Sequence, residues 1–286
     1  MRVKAYDIVL NGIELALEIV LNEDAWTMAW EAFYLLNMGS LMNDSGLKQE
    51  YLNVLDEHGI EPSQEQIEKI EVFLDKERKA KYKQYKNYNS AMLSLGAGAL
   101  LRYGMLSYLH FSGNDQKSEE ETTLEIYTPE MITKALEVFS AQEDIANLSR
   151  DNIYRYNEMG KPYFVSGEPY FSLSHSGRCV LGAFSTGEIG VDLQEVTEDT
   201  DWRKLSKRFF AKTEQEYIMR EGLHSESRGL EAFFRIWCRK EAYGKYLGTG
   251  LVQVLQEDIS QNISNGRLKE GSFKMEGTTY LYTIYR

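Results

Sequence analysis

Leu230-Glu-Ala-Phe-Phe-Arg-Ile-Trp-Cys-Arg-Lys-Glu-Ala-Tyr-Gly-Lys-Tyr-Leu-Gly-Thr-Gly250 is the stretch from which the fold is read. Leu230, Phe233, Phe234, Trp237 and Cys238 recur at helical spacing, which predicts an amphipathic helix laid on a core. Gly248 and Gly250 supply its stop signal. Glu241 follows Trp237 by one turn, and Lys245 follows Glu241 by another. Both lie near the apolar stripe, where a charge is costly unless it is paired or bound to a cation. Taken alone, the two read first as an i,i+4 surface pair on the flank of a core helix.

The chain has 286 residues, 43% of them apolar and 27% charged. That supports one large domain or two small ones with a real core. No apolar run is long enough to span a bilayer, and Met1-Arg-Val-Lys-Ala-Tyr-Asp7 does not read as a signal peptide. The expectations are a cytoplasmic protein and no membrane partner. Cys179 and Cys238 cannot build a disulfide framework, and no Cys/His spacing suggests zinc. A net charge of −12 argues against a nucleic-acid partner. An anionic ligand must then be held by a local basic cluster or a metal.

From the start, Val3–Leu10 predicts a strand and residues 13–36 a helical region. Residues 39–65 are polar and punctuated by Gly39, Gly46, Gly59 and Pro62, with His58 read as a solvated loop histidine. A helix is predicted from Glu65. Lys76–Lys86 then carries six basic residues against one acid, either a solvated helix or a phosphate cradle. Ser90–Leu109 reads as a buried helix, 111–124 as a polar loop and Pro129–Phe139 as a short helix. Tyr170–His175, Arg178–Phe184 and Ile189–Val196 predict a three-stranded antiparallel meander. By themselves His175 is a strand-end histidine and Asp192 a turn-proximal acid. Thr213 and Glu216 predict a capping box with Glu214 in the first helical turn. Residues 222–229 read as a loop, and Leu251–Leu255, Gly266–Lys274 and Thr278–Tyr285 as closing strands.

In series, Gly160-Lys-Pro162, Phe171-Ser-Leu-Ser-His-Ser176, Gly190-Val-Asp192, Arg208-Phe-Phe-Ala-Lys-Thr-Glu214 and Trp237-Cys-Arg-Lys-Glu241-x-x-x-Lys245 resemble the 4′-phosphopantetheinyl transferases, in their larger, surfactin-synthetase-activating type. The resemblance runs from about Ile67 to Leu251 and is interrupted over 107–150. It implies an α+β pseudo-dimer of two similar halves, each an antiparallel sheet packed with a long helix, and an active site in the cleft between them. The halves would be 1–188, with an extra helical region at about 11–65, and 189–286, which carries the metal ligands. The implied reaction moves the phosphopantetheine arm of coenzyme A to a serine of an apo acyl or peptidyl carrier protein. It releases 3′,5′-ADP with Mg²⁺ as cofactor, in a monomer.

The resemblance also implies roles. Asp192 and Glu241 become metal ligands, with Gln194 or a water in a third place. Glu214 becomes a base candidate, and Lys245 a diphosphate contact that assists the leaving group. Arg78, Lys81 and Ser94 fall near the 3′-phosphate and adenine end of coenzyme A. Lys161, Ser174 and His175 fall at the nucleotide and its phosphates, and Lys240 joins the substrate-binding set. Phosphoryl-type transfer suits such a set, because it needs positioning and charge neutralisation more than covalent help. Two departures stand out. Gln194 replaces a glutamate common in the family, and Leu93 replaces an arginine. Both motivate a second reading, a homologue that binds coenzyme A or a carrier without transfer. A third reading is a Mg²⁺-dependent phosphohydrolase built on Asp192 and Glu241.

Overall fold

The computed structural model describes residues 64–112, 136, 154–259, 267–275 and 277–286. The expected strand Val3–Leu10, the helical region 13–36, His58, most of the 111–124 loop and all of Pro129–Phe139 but Leu136 lie outside the described residues. Among the described residues three helices come first: α1 (Gln64–Phe73), α2 (Lys76–Gln84) and α3 (Tyr88–Ser112). Asp75 caps α2 by accepting from Arg78 N at 2.9 Å, which satisfies one orphan amide of the first turn. Ile67, Ile70 and Leu74 meet Leu95, Ala99, Leu101 and Met105 of α3 in a core that Phe164 and Phe171 close.

Two hairpins follow. β1 (Tyr154–Tyr156) pairs antiparallel with β2 (Pro162–Phe164), and β3 (Tyr170–Ser176) with β4 (Cys179–Ser185). The next strand, β5 (Gly190–Glu195), does not continue the meander. It joins a separate three-stranded antiparallel sheet in the order β5–β7–β6, with β6 at Leu268–Met275 and β7 at Thr278–Tyr285. The expected meander is therefore corrected to two sheets. The reason lies in alternate serines of β3. Their hydroxyls accept the amides of β5, from Val191 to Ser172 at 3.1 Å, Leu193 to Ser174 at 3.3 Å and Glu195 to Ser176 at 2.9 Å. Side chains take the place of a backbone ladder, so the sheets abut through hydroxyls while each buried amide keeps a partner.

Helix α6 (Glu226–Leu247) lies on the second sheet, and α4 (Trp202–Phe209) and α5 (Lys212–His224) pack on α6. On α6, Leu230, Phe233, Phe234 and Ile236 bury the predicted apolar stripe against Trp202, Phe210, Ile218 and Leu281. Ser225 alone separates α5 from α6 and caps α6 by accepting from Arg228 N at 3.2 Å, so the expected loop over 222–229 shrinks to one residue. Gly248 ends α6 in the left-handed region at φ 70°, as the glycine stop predicts. Leu251–Val254 is a short helix, α7, not a strand; four apolar residues carry no readable period. The fold is thus mixed α+β, with antiparallel sheets packed on helices.

Candidate active site

The site begins with a glycine. A Cβ on Gly190 would overlap the Ala242 carbonyl oxygen and the Tyr246 amide and stand 2.8 Å from Tyr246 Cα, all backbone atoms of α6. Only glycine lets the start of β5 lie this close to the helix. The approach is fixed from the other side by Cys238, whose thiol donates to Asp192 O at 3.3 Å. Burial holds that thiol well above its ordinary range, so it is a packing group and not a nucleophile. Asp192, two residues after Gly190, is thereby set against the face of α6 that carries Glu241 and Lys245.

Asp192 is buried at 2% exposure, and three side chains hold it. Lys245 Nζ and Ser174 Oγ each donate to its Oδ1 at 2.7 Å, and Gln194 Nε2 donates to its Oδ2 at 2.7 Å. Lys245 also donates to Ser174 Oγ at 3.0 Å. Ser174 therefore bridges Asp192, Lys245 and the Leu193 amide at once. Gln194 presents its amide group to Asp192, which fixes the carboxylate and turns the glutamine's donor toward the acid.

Glu241, one turn before Lys245, has its carboxyl pushed upward by burial and by the Asp192 charge, with Lys245 offsetting part of the effect. Two carboxylates thus share a site with one lysine. Asp192 Oδ1 is filled by its two donors, while Oδ2, with Gln194 as its one donor, keeps a further lone pair. This donor set suits a hard divalent cation that takes one or two carboxylates and fills its remaining places with water and phosphate oxygens. Among the described residues no group of three or more His, Cys, Asp or Glu is placed to hold a metal ion, in keeping with glutamine at 194.

His175, at the outer end of β3, is held below its ordinary range by burial, then by the positive charges of Lys245 and Lys81. Those charges mark a basic strip that runs from α6 past the end of β3 to α2. Lys161 Nζ donates to Tyr246 O at 3.1 Å and pairs with Glu188 at 2.5 Å, tying the β1–β2 turn to the last turn of α6. Farther along the strip, Arg78 is buried over the Tyr154 ring, 5.3 Å from its centroid, and packs on α3 at Gly98, one turn after Ser94. Arg78 Nε, Ser94 Oγ and Tyr154 Oη have no hydrogen-bond partner among the described residues. Buried polar groups seldom stay unsatisfied, so a cradle of two hydroxyls and a guanidinium suits an anion.

Two expected site residues meet each other instead. Lys240, fully buried, pairs with Glu214 Oε2 at 2.9 Å and donates to Val254 O at 3.2 Å and Glu257 O at 2.5 Å. Glu214 also accepts from Ala211 N at 3.0 Å and Ile259 N at 3.4 Å. The cap of α5 is thus Ala211 with Glu214 reaching back, and not the Thr213–Glu216 box. Glu214, expected as a base candidate, and Lys240, expected in the substrate-binding set, are thus paired with each other in this structure. Both oxygens of Glu214 are occupied, and the pair pins α6 to the start of α5 just before Glu241. Ser172, Ser176 and Glu188 are structural participants that motif reading passes over. The alternation of serines on β3 is the signal that could have revealed the first two.

Residues 188–284 match the family described as the 4′-phosphopantetheinyl transferase superfamily. The 4′-phosphopantetheinyl transferase AcpT of Salmonella typhi is 38% identical over 105 residues, 36% of this chain and 53% of its own. The 4′-phosphopantetheinyl transferase gsp of Aneurinibacillus migulanus is 35% identical over 108 residues, 37% of this chain and 43% of its own. The 4′-phosphopantetheinyl transferase Sfp of Bacillus subtilis is 33% identical over 95 residues, 33% of this chain and 40% of its own. The chain spans about half the length of the curated relatives it matches.

Proposed function

We propose, on the premise that the chain belongs through residues 188–284 to the 4′-phosphopantetheinyl transferase family, that it transfers the 4′-phosphopantetheine arm of coenzyme A to a serine of an apo acyl or peptidyl carrier protein. The observation that carries this reading is the meeting of Asp192, Ser174 and Lys245, from two sheets and a helix, beside a second carboxyl at Glu241.

In the proposed reaction the carrier serine oxygen bonds to the phosphorus next to the pantetheine arm as the bridging P–O bond to 3′,5′-ADP breaks. Asp192 and Glu241 would hold Mg²⁺, which supplies positive charge to the diphosphate oxygens. Lys245 lies within hydrogen-bond reach of Asp192 and neutralises the departing phosphate from the same place. Ser174 and Gln194 hold Asp192 in one orientation. The proton of the acceptor hydroxyl leaves to water at the site. Lys81, His175 and Lys161 line the approach of the nucleotide phosphates, and Arg78 and Ser94 receive its 3′-phosphate end. Among the described residues no helix is long and apolar enough to cross a membrane.

The test is incubation with coenzyme A, Mg²⁺ and a panel of apo carriers, read by mass spectrometry. One phosphopantetheine arm should appear on at least one carrier, and Asp192→Ala and Glu241→Ala should each abolish it. Coenzyme A binding without transfer to any carrier would favour the binding homologue to which glutamine at 194 points. Hydrolysis of a nucleotide diphosphate without a carrier would favour a phosphohydrolase.

A further inference from the structure

Helix α6 meets the second sheet along a line of small groups. The Ala242 carbonyl lies against Gly190 of β5, and the Cys238 thiol lies between Asp192 O of β5 and Leu281 O of β7, at 3.3 and 3.8 Å. Small groups let the helix come close. They resist a roll about its own axis only weakly, because apolar contact has no direction. At about 100° per residue, Glu241 and Lys245 fall on one flank of this line and Arg235 and Arg239 on the other, with Arg239 about 160° around the axis from Glu241.

Each flank is pinned to the sheet. On the first, Lys245 donates to Asp192 Oδ1 at 2.7 Å. On the second, Arg239 donates through Nε and Nη2 to Glu270 Oε2 of β6, each at 2.7 Å, and Arg235 Nη1 stands 3.7 Å from Oε1. The two pins share one row of the sheet. Asp192 and Glu270 are both cross-strand partners of Thr283, which is buried on β7 at the centre of the row. Cross-strand partners project from the same face, so Asp192 and Glu270 look toward α6 from the two ends of that row. Between them the Thr283 hydroxyl is a hydrogen-bond partner of Cys238.

An exposed ion pair contributes little to a fold. Glu270 is placed differently: its side chain is 17% exposed, and it faces two arginines one turn apart on one helix. Its distance from the chemistry is what gives it leverage. A helix moves as one body, so a roll freed at Arg239 reaches Glu241 and Lys245 on the opposite flank. We propose that Glu270 is a positioning residue: by holding Arg239 it fixes the roll of α6 and keeps Glu241 and Lys245 turned toward Asp192. This inference rests on the transferase reading and adds to it a residue that acts through the helix, not on the substrate.

The test uses Glu270→Ala and Arg239→Ala in the full chain. Glu270→Gln is the conservative variant, since its amide oxygen still accepts from Arg239. Glu231→Ala is the control, because it breaks the pair with Arg235 inside α6 and leaves Arg239 on Glu270. Folding is checked by thermal unfolding. Transfer kinetics are measured for each variant, together with the rate at which an amine reagent labels Lys245, read by peptide mass spectrometry. Glu270→Ala and Arg239→Ala should each lower kcat about tenfold, a part of the 100-fold or so that a displacement of about 1 Å costs, and leave the KM for coenzyme A and for the carrier unchanged. Lys245, drawn off Asp192, should be labelled several times faster. The double variant should be no slower than either single one. Glu270→Gln should keep most of the wild-type kcat, and Glu231→Ala all of it. Lys245 labelled at the wild-type rate in Glu270→Ala would overturn the proposal, with or without transfer. So would a wild-type kcat in that variant, or a Glu270→Gln protein as slow as Glu270→Ala. Faster labelling in Glu270→Ala, with no transfer by the wild-type chain to any carrier, would instead sink the transferase reading and leave the positioning role standing.

Discussion

Gly190→Ala tests the geometry on which the site depends. The new Cβ would stand 2.8 Å from Tyr246 Cα and nearer still to the Ala242 oxygen and the Tyr246 amide, whereas real Cβ contacts essentially never fall under 3.0 Å. Every obstacle is backbone, so no rotamer change can relieve it, and β5 and α6 must move apart. Overpacking of this kind costs about 1–3 kcal/mol, and a rigid obstacle belongs at the upper end. For a large domain about 3 kcal/mol corresponds to a fall of roughly 6 °C or more in Tm. The shift also carries Asp192 away from Lys245, whose bond is 2.7 Å. A misplacement of about 1 Å at a reacting centre costs on the order of 100-fold in rate. Scanning fluorimetry and the transfer assay measure the two effects side by side. Gly187→Ala is the control, since a Cβ there meets nothing within 4 Å and its φ is not positive. A Gly190→Ala protein that melts and turns over like wild type would refute the close-approach argument and, with it, the account of how Asp192 is placed.

Three further outcomes follow from the same contacts. Ser174→Ala removes a donor to Asp192 and orphans the Leu193 amide, so denaturant unfolding should show a loss of about 1–3 kcal/mol, and kcat should fall more than the coenzyme A KM rises. Lys240→Met leaves the Glu214 charge buried and should cost about 3–5 kcal/mol, while adding Glu214→Leu should restore most of it; a double-mutant cycle without coupling would count against the pair. His175 binds fewer protons folded than unfolded, so its share of stability is present above its ordinary pKa of 6.5 and is lost as pH falls below that value. An NMR titration should place it under that value in the free protein and move it upward when coenzyme A neutralises Lys81 and Lys245; a midpoint unmoved by coenzyme A would contradict the basic strip.

The helices were legible wherever burial wrote a period into the chain. The α6 stripe and its glycine stop stand as the spacing predicts, and the closing hairpin of β6 and β7 was read nearly to its ends. Asp192, Glu241 and Lys245 were legible as a set only because several motifs occur in one order; none of them stands out alone. What could not be read was pairing between distant groups. The turn Ser185–Glu188 is short enough for a hairpin, so β5 looked like a third meander strand. Its true partner, β7, lies about ninety residues away, and no local pattern announces that. Glu214 and Lys240 each resemble solvent-facing helix charges, and only the packing of α5 on α6 removes both from water together.

The hydroxyl contacts between β3 and β5 make the site a sensor of its own assembly. Asp192 comes from one side of that join and Ser174 from the other, so each sheet can be intact while the constellation is lost. Loosening the join by a single water layer would separate the acid from its serine without unfolding either sheet. Activity in such a protein should disappear before secondary structure does, and hydrogen exchange at Val191, Leu193 and Glu195 would be the first place to see it go.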